Sequence, residues 1–197
     1  MLDAALDGSV TEITTNVTKI VSHGLRGRNR LTKLSAPELL EVEAYGMYGC
    51  SALVTFEAKK LERIRDNAFE QCRFIAVFPA IAYTLSYAMY NWKGAIADLG
   101  GTFSQITNSN FSNATNMSTL ILRSAAGVVT LGNTNVFSGS PFASNGSGGT
   151  LYVPQALIST YQSATNWSTI LGYTNNQILP IEGSIYETQY ADGTPVA

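Results

Sequence analysis

The feature that most constrains this chain of 197 residues is an internal repeat. Apolar residues recur at matched offsets, and the first five copies begin 21 or 22 residues apart. The copies start at Ile20, Val42, Ile64, Leu85 and Ile106, with a degenerate sixth near Leu131. Because a short strand and a turn cannot bury their own apolar side, such units must stack on one another. The repeat therefore predicts a solenoid with one continuous core.

Within each copy, further apolar anchors follow the first residue by 5, 11 and 14 positions. The fourth copy thus has Tyr90, Ile96 and Leu99 as its later anchors. The strand is expected to run through the last two anchors of each coil, as in residues 53–58. Period-2 alternation in that segment predicts that Val54 and Phe56 point inward.

The outward positions of the predicted sheet form a mixed column without a single-charge stripe. Coil by coil, this column reads Lys33 and Ser35, Thr55 and Glu57, Val77 and Pro79, Asp98 and Gly100, Thr119 and Ile121. Either a ligand surface or a merely solvated sheet face fits these residues. Lys33, Thr55, Glu57 and Thr119 are the candidate partner-binding residues on this face.

A second candidate surface consists of aromatic residues that lie off the anchor positions and close to the turns. They are Tyr45, Tyr48, Tyr83, Tyr87 and Trp92. Tyrosine and tryptophan dominate binding hot spots, so an exposed aromatic edge would be a contact patch for a partner. The alternative is that these rings pack between coils.

Both ends of a solenoid need a cap, because each would otherwise expose the apolar core. We predict a capping strand within residues 1–19, repeat coils over 20–150, a cap over 151–183 and a tail over 184–197. Pro154 suits the start of a helix and Gly172 its end, so the cap is expected to contain one helix over residues 154–171.

Composition limits the chemistry. Twelve basic and 14 acidic residues leave a net charge of −2, which gives no electrostatic argument for nucleic acid or an anionic membrane. With one His and two Cys, the sequence suggests no catalytic residues, cofactor or metal site. No run approaches the length of a membrane span, and no secretion signal is visible at the start.

The two cysteines, Cys50 and Cys72, occupy the same offset in adjacent copies. The spacing between coils would allow a disulfide. Free thiols in the core are the favoured interpretation, because the residues recur as a repeat position rather than as a pair.

Residues 42–60 and 64–79 resemble the repeat unit of BspA-like leucine-rich repeat proteins, also called Treponema pallidum-type repeats. The resemblance covers about residues 11–181. Together with the spacing, it implies an α/β fold: a right-handed leucine-rich repeat solenoid of five to six coils of 21–25 residues with one parallel sheet. A strand cap is expected at its start and a helical cap at its end.

The resemblance also implies a function. Members of this family are mainly bacterial surface or secreted proteins, and some are adhesins. We therefore expect a non-catalytic, adhesin-type module that binds a protein or glycan at the cell surface or outside the cell. Because residues 151–170 resemble the end segment of prophage-encoded members, a receptor-binding or structural protein of a phage virion is the alternative. A trimer would favour the virion, and a monomer with a processed amino terminus would favour the surface protein.

Overall fold

The computed structural model describes residues 9–124, 126–192 and 194. Over this part of the chain, each coil contributes strands to two separate rows, numbered here in chain order. The first row consists of β1 (Glu12–Thr14), β3 (Lys33–Ser35), β5 (Thr55–Glu57), β7 (Ala76–Phe78), β9 (Ile96–Leu99), β11 (Thr119–Leu122), β13 (Thr150–Val153) and β14 (Gln177–Pro180). The second consists of β2 (Lys19–Ile20), β4 (Glu41–Val42), β6 (Arg63–Ile64), β8 (Tyr83–Thr84), β10 (Gln105–Ile106) and β12 (Thr130–Leu131).

Paired strands in both rows run parallel to their counterparts in the neighbouring coil. The first row is bonded as β1-β3-β5 and β7-β9-β11-β13-β14, and the second as β2-β4-β6-β8 and β10-β12. This arrangement confirms the predicted solenoid. The prediction of one sheet is incomplete, because strands of two residues are too short to show alternation in a sequence.

The turns between the rows repeat as regularly as the strands. The first five turns each hold residues in the left-handed region of backbone space at two fixed positions, and the sixth does so at the second position only. The first position is occupied by His23, Tyr45, Asn67, Tyr87 and Ser109, and the second by Gly27, Gly49, Gln71, Asn91, Asn113 and Gly139. Non-glycine residues adopt this conformation at a cost. Here it is offset by hydrogen bonds between coils, such as Tyr45 N to Asp66 O at 3.0 Å.

The anchors of successive coils form one buried ribbon. Phe69 has no exposed surface, and its ring lies 5.4 Å from that of Phe56 in the preceding coil, centroid to centroid. Within its own coil it contacts Phe74 at 5.1 Å and Phe78 at 5.8 Å. Met47 and Phe111 also belong to this core, as the matched offsets predict.

Both cysteines are buried free thiols that bond to the main chain of the preceding coil. Cys50 Sγ donates to Leu25 O at 3.1 Å, and Cys72 Sγ donates to Met47 O at 3.2 Å. Burial raises the pKa of the Cys72 thiol well above its usual value. The repeated cysteine thus fills the core and gives a main-chain carbonyl of the preceding coil a second donor, beside its bond within the turn.

The predicted anchors of the fourth coil are wrong at their first positions. Thr84, not Leu85, pairs with Ile64, so the buried residues that follow are Met89 in place of Tyr90 and Trp92 in the cysteine position. The shift arises in the preceding connection. Leu61 follows Phe56 by five positions, but Ile81 follows its counterpart Phe78 by only three. Thr84 is tolerated in the core because its hydroxyl accepts a hydrogen bond from Asn110 Nδ2.

Three inward assignments in the strands also require correction. Val54 is 52% exposed, because β5 begins only at Thr55. In the third and fourth coils, Ile75 and Ile96 face outward, and Phe74 fills the core instead.

The described ends of the solenoid are covered as follows. β1 pairs with β3 over the first coil, whereas residues 1–8 of the predicted capping strand lie outside the described residues.

The predicted single helix is interrupted. A 3-10 turn (Gln155–Leu157) leads into α1 (Ile158–Ser163), and α2 (Trp167–Leu171) follows after a break at Asn166, which has a φ of 66°. Trp167 is buried, and its indole Nε1 donates to Val129 O.

Replacing Phe69 by Ala is expected to lower the free energy of unfolding by about 3 to 5 kcal/mol, because it leaves a cavity in contact with two coils. Urea denaturation measures this loss. The matched control is Val54→Ala, which should change stability by less than about 0.5 kcal/mol since the side chain is largely exposed. Wild-type stability of the Phe69→Ala variant would contradict the core described here.

Candidate functional site

The outward face of the first row differs from the predicted column in its second half. Lys33 pairs with Thr55 and Ser35 with Glu57, as expected. Further along, Asp98 pairs with Ile121, and Thr119 pairs with Ile96. The column that crosses the middle of this face therefore continues through the following residues: Val77, Asp98, Ile121, Tyr152 and Leu179.

This second half of the face is covered by residues 181–190, which we call the strap. Ile181, Tyr186 and Tyr190 of the strap form a buried cluster with Val77 and Ile121. The ring of Tyr186 also packs edge-on against Tyr152, with centroids 4.7 Å apart. The tail predicted over residues 184–197 thus lies on the sheet face as far as the chain is described, with residues 193 and 195–197 outside that part.

An ion pair lies beneath the strap. Arg123 Nε and Nη2 donate to the Asp98 carboxylate at 2.6 to 3.0 Å, and Asp98 is only 2% exposed. Burial raises the pKa of Asp98 to about 6, although the guanidinium of Arg123 acts in the opposite direction. The same Nη2 donates to the carbonyls of Tyr186 and Gln189, both at 3.0 Å. Arg123 therefore links the sheet face to the strap.

The first half of the face is less covered. Lys33, Thr55 and Glu57 are half-buried on it. Thr119, the fourth predicted residue of this face, is 9% exposed and sits between Ile96 and Thr150 in the sheet. The structure therefore brings Lys33, Thr55 and Glu57 together and places Thr119 away from them, close to the region under the strap.

The turns present an exposed aromatic edge on a different side. Tyr45 is 37% exposed and Tyr87 is 44% exposed, both at the first left-handed turn position. Tyr45 stacks on His23 with ring centroids 5.3 Å apart and lies 6.0 Å from Tyr48. Tyr87 similarly lies 5.6 Å from Tyr90. We define the aromatic edge as these residues: His23, Tyr45, Tyr48, Tyr87 and Tyr90.

Neighbouring coils hold the tyrosine hydroxyls of this edge. Gln71 Nε2 donates to the hydroxyl of Tyr48 at 3.2 Å, and Asn113 Nδ2 donates to that of Tyr90 at 2.9 Å. Arg26 additionally lies over the Tyr48 ring, 5.1 Å from its centroid. Each of these two hydroxyls is fixed as an acceptor, so its own proton is directed away from the amide and can be donated to a ligand.

Two residues predicted for this edge lie elsewhere. Trp92 has no exposed surface, because it fills the cysteine position of the fourth coil and its ring covers Gly94. Tyr83 lies on the second row in β8, 5.9 Å from the guanidinium of Arg65. The prediction for Trp92 is therefore wrong, since the shortened connection before the fourth coil shifts its register.

The second row carries a ladder of opposite charges. Glu41 is nearly buried and accepts a hydrogen bond from Arg65 Nε at 2.6 Å, with Lys19 Nζ at 3.4 Å and Arg63 Nε at 3.6 Å. Burial raises the pKa of Glu41, but the hydrogen bonds from Arg65 and Lys19 outweigh it and lower the pKa overall. A cleft of about 340 Å³ lies beside this ladder, and the side chains already neutralise one another.

The single histidine makes one exposed contact with a serine. Ser22 Oγ lies 2.8 Å from His23 Nδ1 and 3.0 Å from Ala44 O. Which group donates in the serine–histidine contact depends on the tautomer of the imidazole, so this contact does not by itself define an activated nucleophile. In the described part of the chain, no three His, Cys, Asp or Glu side chains are grouped to hold a metal. A helix able to cross a membrane is likewise absent from it.

Sequence reasoning did not assign roles to Asp98, Arg123, Tyr152, Tyr186 or Tyr190. One signal was available: Arg123 is the only charged residue between positions 99 and 181. A single charged residue in such a segment is expected to pair with an opposite charge when it is buried. Asp98 of the neighbouring coil is that partner. The contact with the strap depends on the chain returning over the sheet, for which the repeat pattern contains no signal.

Replacing Arg123 by Gln is expected to lower the free energy of unfolding by about 3 kcal/mol at pH 7.5, because Asp98 is left buried without a counter-charge. Loss of the guanidinium raises the pKa of Asp98 further above its unfolded value. The folded variant therefore takes up its proton above pH 6, so the cost should shrink as the pH falls towards about 6 and change little below it, where Asp98 of the wild type is protonated as well. Urea denaturation at pH 7.5 and pH 5 measures the difference.

The control for this experiment is the double variant Asp98→Asn with Arg123→Gln, which contains no buried charge at this position. Its free energy of unfolding should change less between pH 5 and pH 7.5 than that of the single variant. An equal loss at both pH values in the Arg123→Gln variant would contradict a role for the Asp98 charge.

Comparison with known proteins agrees with this architecture. The family model described as the BspA type leucine rich repeat region, with six copies, matches residues 8–118 and 59–145. No curated protein and no solved structure matches the chain. The matched residues contain the stacked coils, both cysteines and the aromatic edge, and they make up more than half of the chain. The chain therefore belongs to the BspA-type leucine-rich repeat family.

Proposed function

We propose that this protein is a non-catalytic binding module that attaches to a protein or glycan ligand through its aromatic edge. The observation that carries the proposal is the exposure of Tyr45 and Tyr87 at equivalent turn positions. Large aromatic side chains exposed to solvent in a repeated arrangement gain free energy when a ligand covers them.

The rigidity of this edge supports the same function. Tyr45 and Tyr87 lie on turns that are hydrogen-bonded to the next coil, through Tyr45 N to Asp66 O and Tyr87 N to Asn108 O. The hydroxyls of Tyr48 and Tyr90 are held by amide donors. Because these groups are already ordered, binding costs little conformational entropy. Aromatic faces with directed hydroxyl groups suit sugar rings as well as protein surfaces.

Family membership supports binding rather than catalysis. BspA-type repeats are often used for binding or adhesion and are often found at the cell surface, and leucine-rich repeat solenoids are typically non-catalytic. We place the module at the cell surface or outside the cell.

The half-buried strand-face residues Lys33, Thr55 and Glu57 are the alternative contact surface. A phage particle remains the alternative location, and a trimer in light scattering would favour it.

The first experiment is an array of glycans and extracellular-matrix proteins screened with the purified protein. For a ligand found in this way, we expect the double variant Tyr45→Ala, Tyr87→Ala to bind at least about tenfold more weakly, since each truncated hot spot costs more than about 1 kcal/mol. Titration calorimetry measures the change in Kd.

Two controls isolate the aromatic edge. Tyr83→Ala removes a tyrosine from the second row and should leave the affinity unchanged. The double variant should keep the wild-type thermal midpoint to within a few degrees, because neither ring belongs to the main core. Unchanged affinity of the folded double variant would refute the proposed surface, and a loss confined to Lys33→Ala or Glu57→Ala would move the site to the strand face.

A further inference from the structure

The strap is attached to the solenoid in a way that separates it from the main core. Tyr186 and Tyr190 pack with Val77 and Ile121 in a second cluster, on the outward side of the first row. The main core is formed by the inward anchors and includes none of the strap residues. The strap therefore packs on the outward face of the sheet and not within the main core.

The sheet face beneath the strap has the chemistry of a peptide site. Its apolar part consists of Ile75, Ile96 and Tyr152, which pack against the second cluster. At its centre, Arg123 donates to two main-chain carbonyls of the strap, while Asp98 holds the guanidinium in place. Main-chain carbonyls are common to all peptides, so a fixed guanidinium can bind any turn that brings two of them together.

Local interactions give the strap its own shape. A 3-10 turn (Ile185–Glu187) is capped by Ser184, whose Oγ accepts from Tyr186 N at 3.1 Å and donates to Ile181 O at 2.7 Å. Glu187 Oε2 accepts from Gly183 N at 3.0 Å. These bonds lie within the segment, so a free peptide of this sequence can form them too. Such preorganisation lowers the entropic cost of docking.

We propose that the strand face around Arg123 is a docking surface for a peptide turn of a partner protein, and that the strap occupies this surface as an intramolecular ligand. The partner segment would carry two aromatic side chains four residues apart, as Tyr186 and Tyr190 are, and would present main-chain carbonyls to Arg123. Binding requires displacement of the strap. This surface is distinct from the aromatic edge and does not depend on the function proposed for it.

The test uses the full chain with the strap released by Tyr186→Ala and Tyr190→Ala. The probe is a fluorescein-labelled peptide of residues 181–192 with the natural sequence, titrated by fluorescence anisotropy. We expect saturable binding to the released variant and at least about tenfold weaker binding to the wild type, where the attached strap competes at high effective concentration. Adding Arg123→Gln to the released variant should weaken binding at least about tenfold.

Matched peptides test which side chains are recognised. A peptide with Ile185→Ala should bind as well as the natural one, because Ile185 is 68% exposed in the docked strap. A peptide with both tyrosines replaced by Ala should not bind. Failure of the folded released variant to bind the natural peptide would overturn the proposal. A dimer that forms at high concentration by exchange of straps would support it, since the strap of a second copy would then dock in the same way.

A second measurement covers the case in which the released variant does not fold. Chymotrypsin should cut the wild type after Tyr186 and Tyr190 through local opening of the strap, with a weaker urea dependence than global unfolding. Cleavage at these tyrosines only with the urea dependence of global unfolding would show that the strap is a fixed part of the fold, and would overturn the proposal.

Discussion

The stacking of coils on one another is the interaction on which the rest of this structure depends. Phe69 packs against Phe56 of the coil before it, and its main-chain N bonds to Ala88 O of the coil after it. The cysteine thiols repeat the pattern by donating to carbonyls one coil back. Because each layer is completed by its neighbours, a coil has no stable structure by itself, and its turns are held in register with those of adjacent coils.

That register determines what the surface can do. The left-handed turn position that accommodates Asn67 in one coil presents Tyr45 and Tyr87 in the coils on either side. The fold therefore converts sequence variation at one repeat position into a rigid row of exposed groups. The outward positions of the second row carry charged side chains instead. These charges neutralise one another around the nearly buried Glu41. The aromatic edge offers large apolar faces to a ligand, and the charged ladder does not.

Much of this architecture could be predicted from residue spacing, and the failures have specific causes. Phe69, Met47 and Phe111 are buried where their offsets place them. Apolar spacing places the fourth coil one position late, because Thr84 is a polar residue at an apolar position and its hydroxyl accepts a hydrogen bond from Asn110 of the next coil. A search for apolar residues selects the neighbouring Leu85 instead. The prediction that Trp92 is exposed is wrong for the same reason.

The helical cap shows a similar limit. Side-chain periodicity predicted one helix, whereas the positive φ of Asn166 turns the chain so that Trp167 reaches Val129 O. That bond joins residues 38 positions apart, and local propensity contains no information about it.

By itself, the sequence determined the class of fold, since matched apolar offsets at a period of 21 or 22 residues can be buried together only by stacking. It also determined the chemistry available at the surface, which is aromatic and polar with few charges. Only the tertiary structure decided which of these groups are accessible. Tyr45 and Tyr87 remain exposed, whereas the strap returns over Asp98 and Arg123. The reason is that repeat spacing determines only which residues of neighbouring coils pack together in the stack. The sheet face is covered by the strap, a non-repeating segment whose contacts with Arg123 join residues more than sixty positions apart.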